Sequence, residues 1–410
     1  MQVRATLQVV LCLALSLGVS TRAFGADVHT ILTGRVETRV RSPLPGDRGS
    51  ILTTDLELLP DAQVTLAWGN TRIGFQYNPS LLLREPQLLG RVYLLHRGRA
   101  AFTQRFGRAS LLVQQEASAG ETDVSALIPT DGTPINNASG VQTSGAIPYR
   151  RLASMAMLDA NPNDRTSFTL SGGYIISGSP LVNYSLPLQW GPVASASFRG
   201  KLLPRNALIT SAQFMSSTFA TGQTQLIAAL TESYERQFSR EVTVSIGGGA
   251  ALTREHIVAL PPIAGPSPIP GDYQEILPVA LATVAWRSRA AHSPMVFNGS
   301  ARLGPFADRF TGYVYERVET QLGAEWRFER PWTWVGSAGF AYAVPIGLAQ
   351  QVGDSLYYAE SGVRWSVFNW LQLGALGRVV YSQQPRLGAG QFQWLLTLSA
   401  TVRHERSMAW

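Results

Sequence analysis

From Glu241 to Thr253 the apolar side chains Val242, Val244, Ile246, Ala250 and Leu252 alternate with Glu241, Thr243, Ser245, Gly247, Gly249 and Thr253. Every second position suits hydrocarbon and the positions between suit water, which is the period-two mark of a strand with unlike faces. Near the C-terminus Phe392, Trp394, Leu396, Leu398, Ala400 and Val402 alternate in the same way with Gln391, Gln393, Thr397, Ser399, Thr401 and Arg403, and only Leu395 breaks the phase. Between Leu186 and Leu202, Trp190, Ala194, Ala196 and Phe198 oppose Gln189, Ser195, Ser197, Arg199 and Lys201. Val314, Val318, Leu322, Ala324, Trp326 and Phe328 oppose Tyr313, Tyr315, Arg317, Glu319, Gln321, Glu325 and Arg327, and Trp332, Trp334, Ala338, Phe340 and Tyr342 oppose Thr333, Ser337 and Gly339. Runs of roughly 10 residues or more are what a tilted strand needs to cross a bilayer. A soluble β-sandwich also alternates, but with strands of about 5–6 residues. Aromatics gather at the ends of these runs, where a membrane interface places them.

The connections fall into two kinds in strict succession. Short turns are expected at Gly69-Asn70, Phe106–Arg108, Asn161–Asp164, Pro204–Asn206, Ser239-Arg240, His292–Pro294, Arg330-Pro331 and Asn369. Longer loops are expected near Ser42–Ser50, Glu85–Gly90, Gly120–Tyr149, Ser177–Ser185, Ala220–Gln223, Ile257–Asp272, Pro305–Thr311, Pro345–Gly353 and Gln383–Gly390. Short periplasmic turns alternating with longer outside loops describe an outer-membrane barrel. The fold class expected is therefore all-β, a single transmembrane antiparallel β-barrel of about 18 strands, within 16–20, with both termini periplasmic. The count starts from a first strand near Thr30–Val40. Its weakest point is Pro60 inside the second strand, because a turn there would change the number.

The first residues carry Arg4, then an apolar stretch from Ala5 to Val19, then the small residues Ala23, Gly25 and Ala26. That order is a secretory signal peptide, with residues 1–25 removed and 26–410 forming the barrel. Cys12, the only cysteine, lies in that segment, so the mature chain is expected to have no thiol, disulfide or cysteine-bound metal. Later stretches fall short of ~18 consecutive apolar residues, so no spanning helix is expected. The composition is 45% hydrophobic and 15% charged with 38 glycines. The net charge of +7 becomes +5 without Arg4 and Arg22, and Lys201 is the single lysine. These cations are spread along the chain rather than gathered in a patch, which argues against a nucleic-acid partner.

Candidate chemistry is sparse. His29, His96, His256, His292 and His404 stand in no metal-ligand spacing and beside no nucleophilic serine motif. His256, after Glu255 at the mouth of a long loop, is the one place where a surface hydrolase would hold a base. Gly247-Gly248-Gly249 lies within a strand and lacks the following helix and lysine of a phosphate loop, so close packing explains it better. No catalytic, cofactor-binding or metal residue is assigned, and no cofactor is expected. The alternation instead turns a basic set inward. The pore-lining candidates are Arg72, Arg97, Arg99, Arg199, Lys201, Arg302, Arg317, Arg327, Arg364 and Arg378 with Glu319, Tyr313 and Tyr315, and Arg84, Arg287, Arg403 and Tyr358 share their phase. Such a lumen favours anions and polar solutes, while part of the set serves to brace the wall.

Trp410, with Met408 and Val402 in phase, resembles the C-terminal signal by which barrels are recognised for assembly. Leu56-Glu57-Leu58, Tyr77-Asn78-Pro79 and Leu95-His96-Arg97-Gly98 resemble segments of porin-like outer-membrane barrels of myxobacteria-type Gram-negative bacteria. That resemblance implies a barrel that accompanies a periplasmic polysaccharide-export protein and passes secreted polysaccharide or other anionic solutes. The expected partners are outer-membrane lipid and lipopolysaccharide, the barrel-assembly machinery and that periplasmic protein, after Sec-type export. A structural or adhesive surface barrel without transport is the competing reading, and an outer-membrane hydrolase the third.

Overall fold

The computed structural model describes residues 27–42, 52–84, 92–123, 146–181, 186–258, 270–288, 293–308, 312–328, 331–346, 353–384 and 389–408. They form β1 (Asp27–Arg41), β2 (Thr53–Trp68), β3 (Thr71–Tyr77), β4 (Ser80–Arg84), β5 (Val92–Phe106), β6 (Ala109–Asp123), β7 (Ala146–Asn163), β8 (Thr166–Gly178), β9 (Gln189–Leu203) and β10 (Asn206–Phe219). The wall continues through β11 (Thr224–Gln237), β12 (Val242–Ile257), β13 (Gly271–Arg287), β14 (Met295–Ala307), β15 (Val314–Trp326), β16 (Trp332–Pro345), β17 (Asp354–Phe368), β18 (Leu371–Gln384) and β19 (Ala389–Met408). Neighbours pair antiparallel in chain order, and β19 returns to β1, with Val28 facing Met408 and Arg41 facing Leu395. The sheet closes on itself, which removes the edges that an open sheet would expose.

Two of these segments make one wall strand. Ala62 of β2 faces Tyr77 of β3, and four residues back Leu58 faces Leu81 of β4, so the register crosses Asn78-Pro79 without an insertion. The barrel therefore has 18 strands. Pro60 is strand, not turn. It faces Gly34 on one side, and on the other the shared register sets it opposite Pro79, where the ladder lapses. Two residues without an N–H meet across that lapse, so the proline sits where the ladder has least to lose.

Tight turns such as Gly69-Asn70 and Asp164-Arg165 lie at one end of the barrel, and the strand ends that flank the longest connections lie at the other. Gly69 (φ 53°) and Gly107 (φ 58°) occupy the left-handed region that such turns need. The two described ends of the chain meet at the short-turn end through the Val28–Met408 pair. The loop expected over Gly120–Tyr149 is shorter than its sequence suggested. Gly120 faces Tyr149 and Asp123 faces Ala146 in a continuous ladder. The remainder of that loop, the Pro-rich stretch before Pro270, His292, Trp410 and the segment expected to be a leader, with the expected cleavage site and Cys12, lie outside the described residues.

Directly facing residues share a face, so the registers carry one side-chain set right round the wall and back to its start. Val36, Phe102, Leu170, Leu230, Ile246, Ile276, Leu322 and Leu398 belong to the outer set, and all are well exposed, Leu230 at 60% and Ile276 at 74%. Such an apolar belt suits hydrocarbon. Aromatic pairs ring both ends. Trp332 stacks on Trp365 at 5.2 Å and Phe368 on Trp370 at 5.3 Å toward the short turns. Phe340, Tyr357 and Tyr381 meet at 4.9 and 6.2 Å toward the long loops. These are the interfacial girdles of a spanning barrel. In β12, a Cβ on Gly249 would stand 1.9 Å from the Leu230 carbonyl oxygen, and one on Gly247 would stand 2.4 Å from Ser233 Cβ. The glycine run is a close strand contact.

Candidate functional site

The inner face of β1 carries Arg35, Glu37, Arg39 and Arg41 at every second residue, and β2 presents Asp55 and Glu57 beside them. Glu37, 2% exposed, takes the guanidinium of Arg39 at 2.6 Å and that of Arg35 as well. Arg39 also meets Glu57, which accepts a 2.5 Å hydrogen bond from Ser80. Arg41 and Arg84 approach the two oxygens of Asp55 at 3.3 and 3.4 Å. Opposite charges thus lock three wall strands together near the long-loop end. The inward candidates named from the sequence left out all of this lattice but Arg84, although the i, i+2 spacing of the β1 charges was there to read. Removing one member of a buried pair strands the other. Glu57→Ala is therefore expected to cost about 3 kcal/mol in urea refolding of the barrel, with Glu57→Gln costing less.

About a third of the circumference away the wall folds inward. The β13–β14 ladder runs from the Arg287–Val296 pair to the Ala280–Leu303 pair and stops. Beyond it, at Gly304-Pro305, the β14–β15 hairpin stays paired with itself and with β16 but leaves β13. Val314, grouped by its alternation with the lipid-facing residues, is instead fully buried. It packs on Leu277 and Ile227, inner-face residues of β13 and β11, together with Ile346. Its N–H donates to Glu255 Oε1 at 3.2 Å, and the Gln225 side-chain amide donates to the Gly312 carbonyl. The described end of this hairpin, at residues 312–314, therefore lies inside the barrel, against the inner wall of β11–β13. Burial raises the Tyr313 phenol above its usual range; it stays neutral at physiological pH. Tyr315, 4% exposed, packs with Ala343 and Phe306, and the Arg317 guanidinium lies 4.6 Å over the Phe306 ring.

The registers set the sequence candidates on the inner face in separate arcs. Arg72 faces Thr103, and Arg97 faces Ser118. Arg99 reaches Gln114 and lies 3.9 Å from Glu116. Arg199 pairs with Glu235, and Lys201 faces Ala207. Arg302 faces Glu319, which Arg317 approaches at 3.3 Å, and Arg378 lies 5.6 Å over the Tyr358 ring. Arg327 and Arg364 instead line a cavity of about 860 Å³ in the short-turn half, bounded by β13–β19 and Arg35. His256 belongs to the outer set and pairs with Asp272 at 2.9 Å. No cluster of metal-ligating side chains occurs among the described residues.

A polar lumen inside an apolar belt is the anatomy of a channel, and family comparison says of which kind. The model of the EpsX exopolysaccharide export family matches residues 21–407. The chain belongs to the EpsX exopolysaccharide export family. In this family setting the barrel is an outer-membrane channel. Similar solved structures include the outer membrane protein OpdK of Pseudomonas aeruginosa, at 9% identity and TM-score 0.47, covering 93% of this chain and 99% of that one. Another is OccK2 (OpdF) of Pseudomonas aeruginosa in complex with glucuronate, at 11% identity and TM-score 0.46, covering 92% and 98%. No curated protein sequence matches the chain.

Proposed function

We propose that the lumen passes secreted polysaccharide across the outer membrane, with no chemical step on the polymer. The observation that carries this is an inner face rich in charged and polar side chains, with an open cavity of about 860 Å³ in one half, in a member of an exopolysaccharide export family. Carbohydrate hydroxyls exchange hydrogen bonds with such a wall about as well as with water, so a chain slides without being held. The short turns and both termini face the periplasm, residues 1–25 leave as the signal peptide, and a periplasmic export protein hands the polymer to the barrel at that end. Arg72, Arg97, Arg99, Arg199, Lys201, Arg302, Arg317, Glu319, Arg327, Arg364, Arg378, Tyr313 and Tyr315 are the pore-lining set, and Trp410 marks the strand read by the assembly machinery, with lipopolysaccharide around the outer girdle.

The experiment is a deletion strain assayed for cell-surface polysaccharide, paired with single-channel recording of the purified barrel. Loss of surface polymer with its accumulation inside, restored by the intact gene, is the expected result. Normal surface polymer in the deletion strain would sink the reading, and loss of adhesion alone would point to the surface-binding alternative.

A further inference from the structure

The lumen is electrically uneven. In the long-loop half the arginines of β1 and β4 are tied to Glu37, Asp55 and Glu57. In the short-turn cavity Arg327 is tied to Glu325 at 3.0 Å, but Arg287 and Arg364 form no ion pair among the described residues and stand exposed to the open space. Between them the wall presents Asn298, Ser300, Ser337 and Ser399, with Gly323 and Gly374 in place of large side chains. Hydroxyls and an amide on a smooth face suit sugar hydroxyls. A guanidinium presents parallel N–H donors that fit a carboxylate, and low-dielectric walls strengthen the field of cations left unneutralised.

We propose that this cavity is a binding site for carboxylated sugar residues, so that the exported polymer is acidic and is gathered here before the narrow half of the barrel. The proposal rests on the conduit reading above. Arg287 and Arg364 belong to wall strands four steps apart, β13 and β17, which is about 19 Å of wall at ~4.8 Å per strand. One sugar cannot touch both cations, whereas an oligomer can. The site therefore selects chain length as well as charge.

The test is current block of the purified barrel in a planar bilayer by hexagalacturonate, digalacturonate and neutral maltohexaose, at low and at physiological salt. Hexagalacturonate is expected to block at a concentration at least tenfold below maltohexaose, with digalacturonate between them. In Arg287→Gln/Arg364→Gln the acidic advantage is expected to vanish while block by maltohexaose persists. Equal block by acidic and neutral hexamers, or an acidic preference that survives the double substitution, would overturn the site and leave the conduit standing. A barrel that carries no current would count against the conduit. In that case equilibrium binding of hexagalacturonate to the detergent-solubilised protein decides the site alone, since binding that the double variant loses supports it and no binding refutes it.

Discussion

Replacing Gly304–Arg317 by a two-residue Asn-Gly turn raises single-channel conductance several-fold. Leu303 and Val318 face each other directly, so a tight turn closes the shortened hairpin at that pair without shifting the register. Within the replaced segment, Gly304-Pro305 is where the wall leaves β13, and Val314 lies on Leu277, Ile227 and Glu255 inside the barrel. An 18-stranded wall encloses an aqueous passage unless something fills it, and this tip is one filler among the described residues. The opposite side of the same half is occupied by the Arg39–Glu57 lattice, so the tip faces the lattice across the lumen. The latch is economical in hydrogen bonds. Glu255 Oε2 and Gln225 Oε1 are buried without a partner, and buried polar atoms left in that state disfavour the packed arrangement. Glu255→Ala removes the acceptor of the Val314 N–H and is expected to make the current flicker between the wild-type level and a higher one. Recordings in which the shortened hairpin conducts no better than wild type would show that the tip does not limit the pore.

The period-two signal was enough to read the wall, its 18 strands and the succession of short and long connections, because each strand meets lipid on one side and water on the other. Every pairing then inherits its face from the last. What the alternation misses is where a strand leaves the wall. Val314 continues the apolar phase of Val318 and Leu322, yet its apolar contact is the inner wall of β11 and β13 and not lipid. Hydrophobicity alone cannot distinguish the two surroundings. The local signal was Gly304-Pro305, a flexible residue followed by one that cannot donate to a ladder, at the point where β13 is released. Pro60 misled in the other direction. Its meaning depends on Pro79 across the sheet, a pairing that only the register discloses. The basic inner face was legible as a list of residues. Which of its arginines are tied to carboxylates was not, since that depends on which acids the neighbouring strands bring within reach.

Leu398→Arg is expected to destabilise the barrel by about 2–4 kcal/mol, while Ser399→Arg, one residue on, changes stability by less than about 1 kcal/mol. The two positions adjoin in β19 but belong to opposite faces. Leu398 faces Thr38 and Ala375 and is 52% exposed in the apolar belt, whereas Ser399 faces Glu37 and Gly374 and borders the short-turn cavity. Leu398 sits at the middle of a 20-residue strand, about as far from either end as the wall allows. A guanidinium there cannot reach either interface without dragging water or headgroups inward, which is the origin of the depth-dependent penalty. At Ser399 the same guanidinium enters a water-filled space and gains the carboxylate of Glu37 as a neighbour. Urea titrations of refolding into lipid vesicles measure both. Equal penalties would mean that the alternation does not separate lipid from lumen in the closing strand. Because β19 joins β18 to β1, an error there would pass to every strand whose face is inherited through it.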